Sequence, residues 1–209
     1  MSFAIDSLLQ NYSDNVISLF IHAGDAYLPS HTDEYDHFSL PEVYNHRRFT
    51  MYEAGSIPAT RWNGLDEGTI SGEYYCSWEP VYPRVLEKYE AIDISYSPYQ
   101  IELEGDIVDN NFNYNIIVTL NQDVDPEGQH LDLFVSEDSV SAWWSACAGT
   151  GDVRRRARHL ARAWLTMDQE NKLPITISSQ GESQIFSGSF EMMEFWNDSL
   201  LSLVGIICL

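Results

Sequence analysis

The sequence is poor in basic residues and has almost no lysine. Of its 209 residues, 11 are lysine or arginine and 32 are aspartate or glutamate, which gives a formal charge of -21. The lysines are Lys88 and Lys172. A surface this acidic repels phosphate backbones and anionic lipid head groups. We therefore expect no nucleic-acid partner, and we attribute the charge mainly to solubility.

Cysteine and long apolar runs are also scarce. Cys76, Cys147 and Cys208 form no CxxC or Cys/His pattern, so neither a disulfide framework nor a zinc site is encoded by their spacing. The start has no basic segment followed by an apolar one, so we expect no signal peptide. The apolar stretch Leu200 to Leu209 is too short for a bilayer, which needs about 20 such residues. We predict a buried strand there and no transmembrane segment.

The first part of the chain alternates helical and strand patterns. Ser2 can cap a helix that ends near Ser13, and VISLFIHA (Val16 to Ala23) predicts a buried central strand. Residues 24–40 are predicted as a long loop, Pro41 as the start of a helix, and Glu79 to Ala91 as another helix. The pattern favours an α/β layer over residues 1–95.

From Ser97 onward the hydrophobic period changes to two. The predicted strands are Tyr99 to Ile107, Phe112 to Leu120, Leu131 to Val135, Ile175 to Ser179, Gln184 to Met192 and Leu200 to Leu209. Such runs with turn residues between them favour an antiparallel sandwich over residues 96–209. Arg154 to Leu165 fits one face of a helix, and we predict helix or irregular structure there; the alternation of His159, Ala161 and Ala163 leaves a strand as the alternative.

One short segment suggests a known fold. Ile57-Pro58-Ala59-Thr60 resembles the cis-proline loop that faces the redox cysteines of thioredoxin-like proteins. The order of VISLFIHA, GSIPATRWNG, SPYQIELEGD, HLDLFVSEDSV and ESQIFSGSF resembles the outer-membrane-protein-twenty-eight-related family. The resemblance implies bacterial cell-envelope or secreted proteins with a thioredoxin-like front and a β-sandwich back. We thus expect an α+β protein, with an incomplete thioredoxin-like domain at 1–95 and a sandwich at 96–209.

The resemblance also implies a redox cysteine pair before the first helix, which this sequence does not contain. The chain begins at Met1 inside that helix. Without a thiolate, the loop at Ile57 and Pro58 cannot exchange disulfides, so we predict no catalytic residue. The alternative is a fragment of a thiol-disulfide oxidoreductase whose redox cysteines lie upstream of Met1.

Two acidic segments carry side chains that could bind metal. The first lies in the predicted loop and the second in a turn, where zinc and calcium respectively would find suitable donors. The candidates are His22, Asp25, His31, Asp33 and His37 in the loop, and Asp123, Asp125 and Glu127 in the turn. Solvated loop charge and ordinary turn chemistry explain the same residues. We expect no cofactor, with a divalent-cation-binding module as the alternative.

The remaining clusters indicate interactions with protein. Five arginines lie between Arg154 and Arg162, and in so acidic a chain we expect them to pair with its own carboxylates or at an interface. Trp143 and Trp144 are most simply explained as part of a sandwich core. We therefore expect a non-catalytic interaction protein whose partner is another protein, with self-association through exposed sheet edges as one form of it.

Overall fold

Two helices open the described part of the chain. The computed structural model describes residues 2–21, 60–63, 78–92, 97–145 and 152–208. Helix α1 spans Ser2–Asn11 and helix α2 spans Tyr82–Glu90. Both helices were predicted from their periodicity, and both are confirmed. Neither has the length and apolar character needed to cross a membrane.

The helices bury one face each because their apolar residues recur at helical spacing. Helix α1 buries Ala4 and Leu8, and α2 buries Val85 and Tyr89, which lie one turn apart. The Tyr89 ring approaches that of Tyr12 with centroids 4.4 Å apart. These residues form one hydrophobic core between the two helices.

The buried central strand predicted at Val16 to Ala23 is wrong for its described residues, 16–21. Within them the backbone makes a single parallel bridge, from Phe20 to Leu160. Its bonds run from the Phe20 amide to the His159 carbonyl and from the Ala161 amide to the Phe20 carbonyl, at 2.8 and 2.9 Å. Ile17 is 76% exposed. A continuous apolar run does not by itself show that a segment pairs as a strand, and in residues 16–21 only Phe20 does so.

Three long antiparallel strands form the first sheet. They are β1 (Tyr99–Val108), β2 (Asn111–Leu120) and β8 (Ser183–Glu191), in the order β1-β2-β8. The strands predicted in these three places are confirmed. The register pairs Leu103 with Ile116 and Ile116 with Phe186, so the three side chains share a face, and the last two are buried.

A second sheet has the order β6-β3-β7, with β9 also paired to β3. Its strands are β3 (His130–Glu137), β6 (Leu160–Trp164), β7 (Leu173–Pro174) and β9 (Leu201–Cys208). Strand β3 is central in this sheet and is buried along almost its whole length. Leu131 and Leu133 of β3 share a core with Ile116 and Val118 of β2. The strands predicted at Leu131 to Val135 and at Leu200 to Leu209 are confirmed, but the burial predicted for the latter is not, because Val204 alone is buried in β9.

The strand predicted at Ile175 to Ser179 is wrong. The extended pairing stops at Pro174; the Ile175 amide still donates to the Gln129 carbonyl at 3.0 Å, and three of the amides after it bond to side chains. Thr176 donates to the Gln184 side chain, and Ser178 and Ser179 both donate to the Glu182 carboxylate, at 2.8 to 2.9 Å. Local side-chain acceptors thus replace the neighbouring strand as partners of this backbone.

Our prediction of helix or irregular structure for Arg154 to Leu165 is also wrong. Strand β4 (Val140–Ser145) pairs antiparallel with β5 (Asp152–Ala157), and β6 follows at Leu160. His159 has a positive φ of 47°, at the point where the chain bends between β5 and β6. The carboxylate of Asp138 holds this turn by accepting from the Arg158 side chain and the His159 amide, at 2.6 and 3.3 Å.

The chain groups into two compact units, and the two domains predicted at 1–95 and 96–209 stay a prediction. The first unit comprises Met1–Ile94 and Glu137–Arg162, and the second comprises Ser95–Ser136 and Ala163–Leu209. Residues 137–162 therefore group with the first unit, although the prediction assigned them to the second domain. The α+β class is confirmed, because helices occur together with antiparallel sheets. The thioredoxin-like and sandwich assignments stay predictions.

Candidate functional site

Most of the predicted site residues lie outside the described residues. These are the proline-loop candidates Ile57 and Pro58 and the acidic-loop candidates His22, Asp25, His31, Asp33 and His37. The proline loop and the loop metal site therefore stay predictions.

The acidic turn at Asp123, Asp125 and Glu127 is described, and both of its aspartates bind the backbone. Asp123 accepts a hydrogen bond from the Gln180 amide at 2.8 Å, and Asp125 accepts one from the Glu127 amide at 3.1 Å. Among the described residues, no group of three or more His, Cys, Asp or Glu side chains is arranged to hold a metal ion. The geometry at this turn is that of aspartates closing a loop.

A polar cluster, absent from our sequence-based candidates, is buried in the second unit. Asp132 on β3 is 1% exposed, and its Oδ1 accepts hydrogen bonds from the Thr166 hydroxyl at 2.8 Å and from Lys172 Nζ at 3.3 Å. Lys172 also lies 2.9 Å from His130 Nε2 and 5.4 Å from the centre of the Trp164 ring. The cluster therefore links β3 to the segments on either side of the 3-10 helix Gln169–Asn171.

The hydroxyl of Thr166 uses its whole bonding capacity inside this cluster. It accepts from the Trp164 indole and from the Leu133 amide, each at 3.1 Å, and donates to Asp132. A hydroxyl has one proton and two lone pairs, so none remains for a substrate. Thr166 is thus a structural residue, and the arrangement fixes three segments of the chain.

Two of the five clustered arginines pair with carboxylates of their own unit, as we predicted. Arg162 lies 2.6 Å from Glu137, and both side chains are 4% exposed. Burial lowers the pKa of Arg162, while the Glu137 carboxylate acts in the opposite direction. Arg158 lies 2.6 Å from Asp138 in a more exposed pair. Burial raises the pKa of Asp138, but hydrogen bonds from Arg158 and from two backbone amides outweigh it and leave the pKa below its usual value.

Exposed apolar side chains gather at one end of the first sheet. Seven large apolar side chains are exposed in the described part of the chain, and four belong to residues 106–112 and 190–198, which we call the apolar tip. They are Ile107 at 39%, Val108 at 52%, Met193 at 54% and Phe195 at 48% exposure. Exposed apolar side chains gathered in this way commonly mark a binding surface.

The apolar tip continues the core face of the sheet. The register places Ile107 opposite Phe112 and Phe112 opposite Phe190, so the three side chains project from one face. The rings of Phe112 and Phe190 stack with centroids 5.2 Å apart, and Trp196 meets both Phe190 and Phe195 edge to face at 6.4 Å. The aromatic row thus extends from the sheet to the exposed end of the tip.

Hydrogen bonds hold the two segments of the tip together. Asn110 donates from its side chain to the Met192 carbonyl at 2.6 Å, and the Met192 amide donates to the Asn110 carbonyl at 2.9 Å. Asp109, which precedes Asn110 in the turn, has a positive φ of 55°. The tip is therefore tied by backbone bonding as well as by ring contacts.

By fold and site, the chain is a mixed α+β protein with an apolar tip on its second unit. No family model matches it, and neither does any curated protein or solved structure.

Proposed function

We propose that the protein is a non-catalytic interaction protein that binds another protein through the apolar tip of its second unit. The observation that carries the proposal is the exposure of Ile107, Met193 and Phe195 beside a row of contacting aromatic rings. Aromatic and methionine side chains are enriched where proteins bind each other. The aromatic ones bury a large area with little loss of rotamer entropy.

The bonding around Thr166 supports a binding role rather than a chemical one for the second unit. The hydroxyl is saturated by internal partners, and the nearby Lys172 faces Asp132, His130 and the Trp164 ring. The side chains of the apolar tip, in contrast, are exposed to solvent and lie outside the core.

The proposal includes the fold assignment made from the sequence, a thioredoxin-like front followed by a β-sandwich. The sandwich draws support from the shared core, to which strands of both sheets contribute. A place in the cell envelope or outside the cell rests on the sequence resemblance alone.

The test is binding of the full chain to an array of peptides of varied composition. Peptides of about 12 residues extend to about 40 Å, enough to cover the tip. We expect the protein to be retained by a subset of them, and the double variant Met193→Ser/Phe195→Ser to lose about tenfold or more of that binding. The matched control is Ile185→Ser, which removes a 62% exposed apolar side chain elsewhere on the same sheet.

Circular dichroism first establishes that each variant is folded. Tip-dependent retention supports the proposal. Failure of every peptide to retain the parent, or equal retention of the parent and the double variant, rejects it.

A further inference from the structure

The charged residues of the second unit are almost all acidic. Its two segments contain fourteen carboxylates and a single lysine, Lys172, with no arginine. The acidic residues are Glu102, Glu104, Asp106, Asp109, Asp123, Asp125, Glu127, Asp132, Asp168, Glu170, Glu182, Glu191, Glu194 and Asp198. Lys172 lies 3.3 Å from the buried Asp132, so the unit's one lysine is already engaged inside it.

The apolar tip lies within this acidic surface. Residues 106–112 and 190–198 contain no basic residue, and their five carboxylates are all exposed. These are Asp106, Asp109, Glu191, Glu194 and Asp198. Glu191 pairs in register with Asn111 at the end of the sheet, and Glu194 lies between the exposed Met193 and Phe195. Because successive strand residues point to opposite faces, Asp106, Val108 and Glu191 lie on the face opposite the aromatic row, and carboxylates flank the apolar side chains at this end of the sheet.

We infer that the apolar tip binds an arginine-rich segment of a partner protein in which arginines alternate with apolar residues. The inference rests on the proposed function and adds the chemistry of the partner. Arginine suits both components of the surface, because its planar guanidinium bonds carboxylates bidentately and also stacks on aromatic rings. The apolar residues of the segment cover Ile107, Met193 and Phe195.

The same charges disfavour the other occupants. A second copy of the chain carries the same excess of 32 acidic over 11 basic residues, and two arginines of its cluster, Arg158 and Arg162, already pair with Asp138 and Glu137, so like charges across such an interface oppose binding. Nucleic acid and anionic lipid meet the same repulsion. A basic segment of another protein is the occupant that both the charge and the apolar surface fit.

The test uses the full chain and three synthetic peptides of about 12 residues, measured by titration calorimetry. One alternates arginine with leucine, one alternates glutamate with leucine, and one alternates arginine with serine. We expect the arginine and leucine peptide to bind at least about tenfold more tightly than either of the others, because each of those lacks one component. Raising sodium chloride from about 0.05 M to about 0.5 M should weaken the binding, since screening reduces the charge contacts.

Paired charge variants distinguish a site from general attraction to an acidic protein. Glu191→Gln/Glu194→Gln removes two charges at the tip, and the control Glu127→Gln/Glu170→Gln removes two exposed charges elsewhere in the same unit. We expect the tip variant to weaken binding about fivefold or more and to reduce its salt dependence, and the control to change it less than twofold. The side-chain change is the same in both variants.

Three results would overturn the inference. Equal weakening by the two charge variants would show attraction to net charge, and equal affinity for the arginine and glutamate peptides would show no charge preference. A doubled solution mass that is stable in high salt and lost in Met193→Ser/Phe195→Ser would show self-association instead. Tip-dependent peptide binding without a preference for arginine would reject this inference alone, whereas the absence of any tip-dependent binding would reject the proposed function.

Discussion

A single hydroxyl links several segments of the second unit. Thr166 is 3% exposed and bonds Asp132, the Trp164 indole and the Leu133 amide. Buried polar groups that lose a partner without regaining water carry the full cost of desolvation. The hydroxyl therefore stabilises the fold mainly by satisfying groups that would otherwise be left unpaired.

We expect Thr166→Val, which keeps the shape of the side chain, to lower the free energy of unfolding by about 2 to 3 kcal/mol, because it removes three buried hydrogen bonds. Urea unfolding followed by circular dichroism measures the change as a lower midpoint. The control Thr166→Ser keeps the hydroxyl and loses one methyl group, so we expect a cost of about 1 kcal/mol. Equal losses in the two variants would show that packing rather than bonding is responsible.

Asp6 on helix α1 represents the opposite situation, a carboxylate that the fold disfavours in its charged form. Desolvation raises its pKa above the ordinary 3.8, and Arg158 and His159 oppose this only in part. A carboxyl group whose pKa is raised in the folded state lowers the stability of the fold when it is ionised at neutral pH. This loss of stability disappears as the pH falls through the folded-state pKa to the unfolded-state pKa.

Replacing Asp6 with asparagine should therefore raise the thermal midpoint at pH 7, and the difference from the parent should shrink as the pH approaches 3.8. Thermal melts at several pH values test this. Asp14→Asn, which removes the same charge from an exposed position on the same unit, is the control for net charge. The prediction is wrong if the two variants have the same effect, or if the gain grows on acidification.

At the scale of elements, glycine and aromatic residues fit together on the first sheet. A Cβ added to Gly105 would lie 2.6 Å from the Phe112 ring and 2.9 Å from the Asn113 carbonyl oxygen. One added to Gly188 would lie 2.4 Å from the Tyr114 hydroxyl. Aromatic rings that cover glycines on neighbouring strands help to fix strand register. These contacts connect the core of the sheet to the aromatic row of the tip.

The substitution Gly105→Ala should lower the free energy of unfolding by about 1 to 3 kcal/mol, because the new methyl group has to displace a ring and part of the neighbouring backbone. Chemical denaturation gives the value. Gly205→Ala on β9 serves as the comparison, since its nearest neighbour would be 3.4 Å away, an ordinary contact. If Gly205→Ala were the more damaging of the two, close approach would not explain the role of Gly105.

The elements that the sequence predicts correctly are those whose hydrophobic pattern is local. Tyr99 to Ile107 alternates because one of its faces is buried, and the register confirms it. Arg154 to Leu165 fits helix and strand equally well, and a bond from Arg158 to Asp138, twenty residues earlier, holds the turn between its strands. No local pattern encodes that partner, so the prediction there could not succeed.

The site was harder to predict than the fold for the same physical reason. Phe112 and Phe190 meet only because β2 and β8 pair in one register, although they lie far apart in the sequence. The run FEMMEFWN, which begins at Phe190, does carry a signal, since acidic and large apolar residues alternate within it. Deciding that Met193 and Phe195 of this run face solvent requires the end of the sheet to be known.

Over the whole molecule, the net charge of -21 opposes compaction. Repulsion between like charges destabilises the folded state relative to the expanded one, and salt screens it. The Debye length falls from about 30 Å at 0.01 M salt to about 10 Å at 0.1 M. Most of the screening therefore occurs at low ionic strength.

We expect sodium chloride to raise the thermal midpoint of the full chain, with most of the increase below about 0.2 M. Calorimetry or circular dichroism across a salt series tests this. A series in sucrose at matched osmolality is the control, because a neutral solute does not screen charge. A midpoint that falls with added salt would mean that favourable ion pairs, such as Arg162 with Glu137, outweigh the general repulsion.

The interleaved order of the two units bears on how the chain is made. Residues 137–162 belong to the first unit but are preceded by the first half of the second. During synthesis the early helices must therefore wait until Arg162 has left the ribosome before their unit is complete, and the first sheet must wait for β8. The first unit therefore cannot complete its fold until the first half of the second unit has also been made.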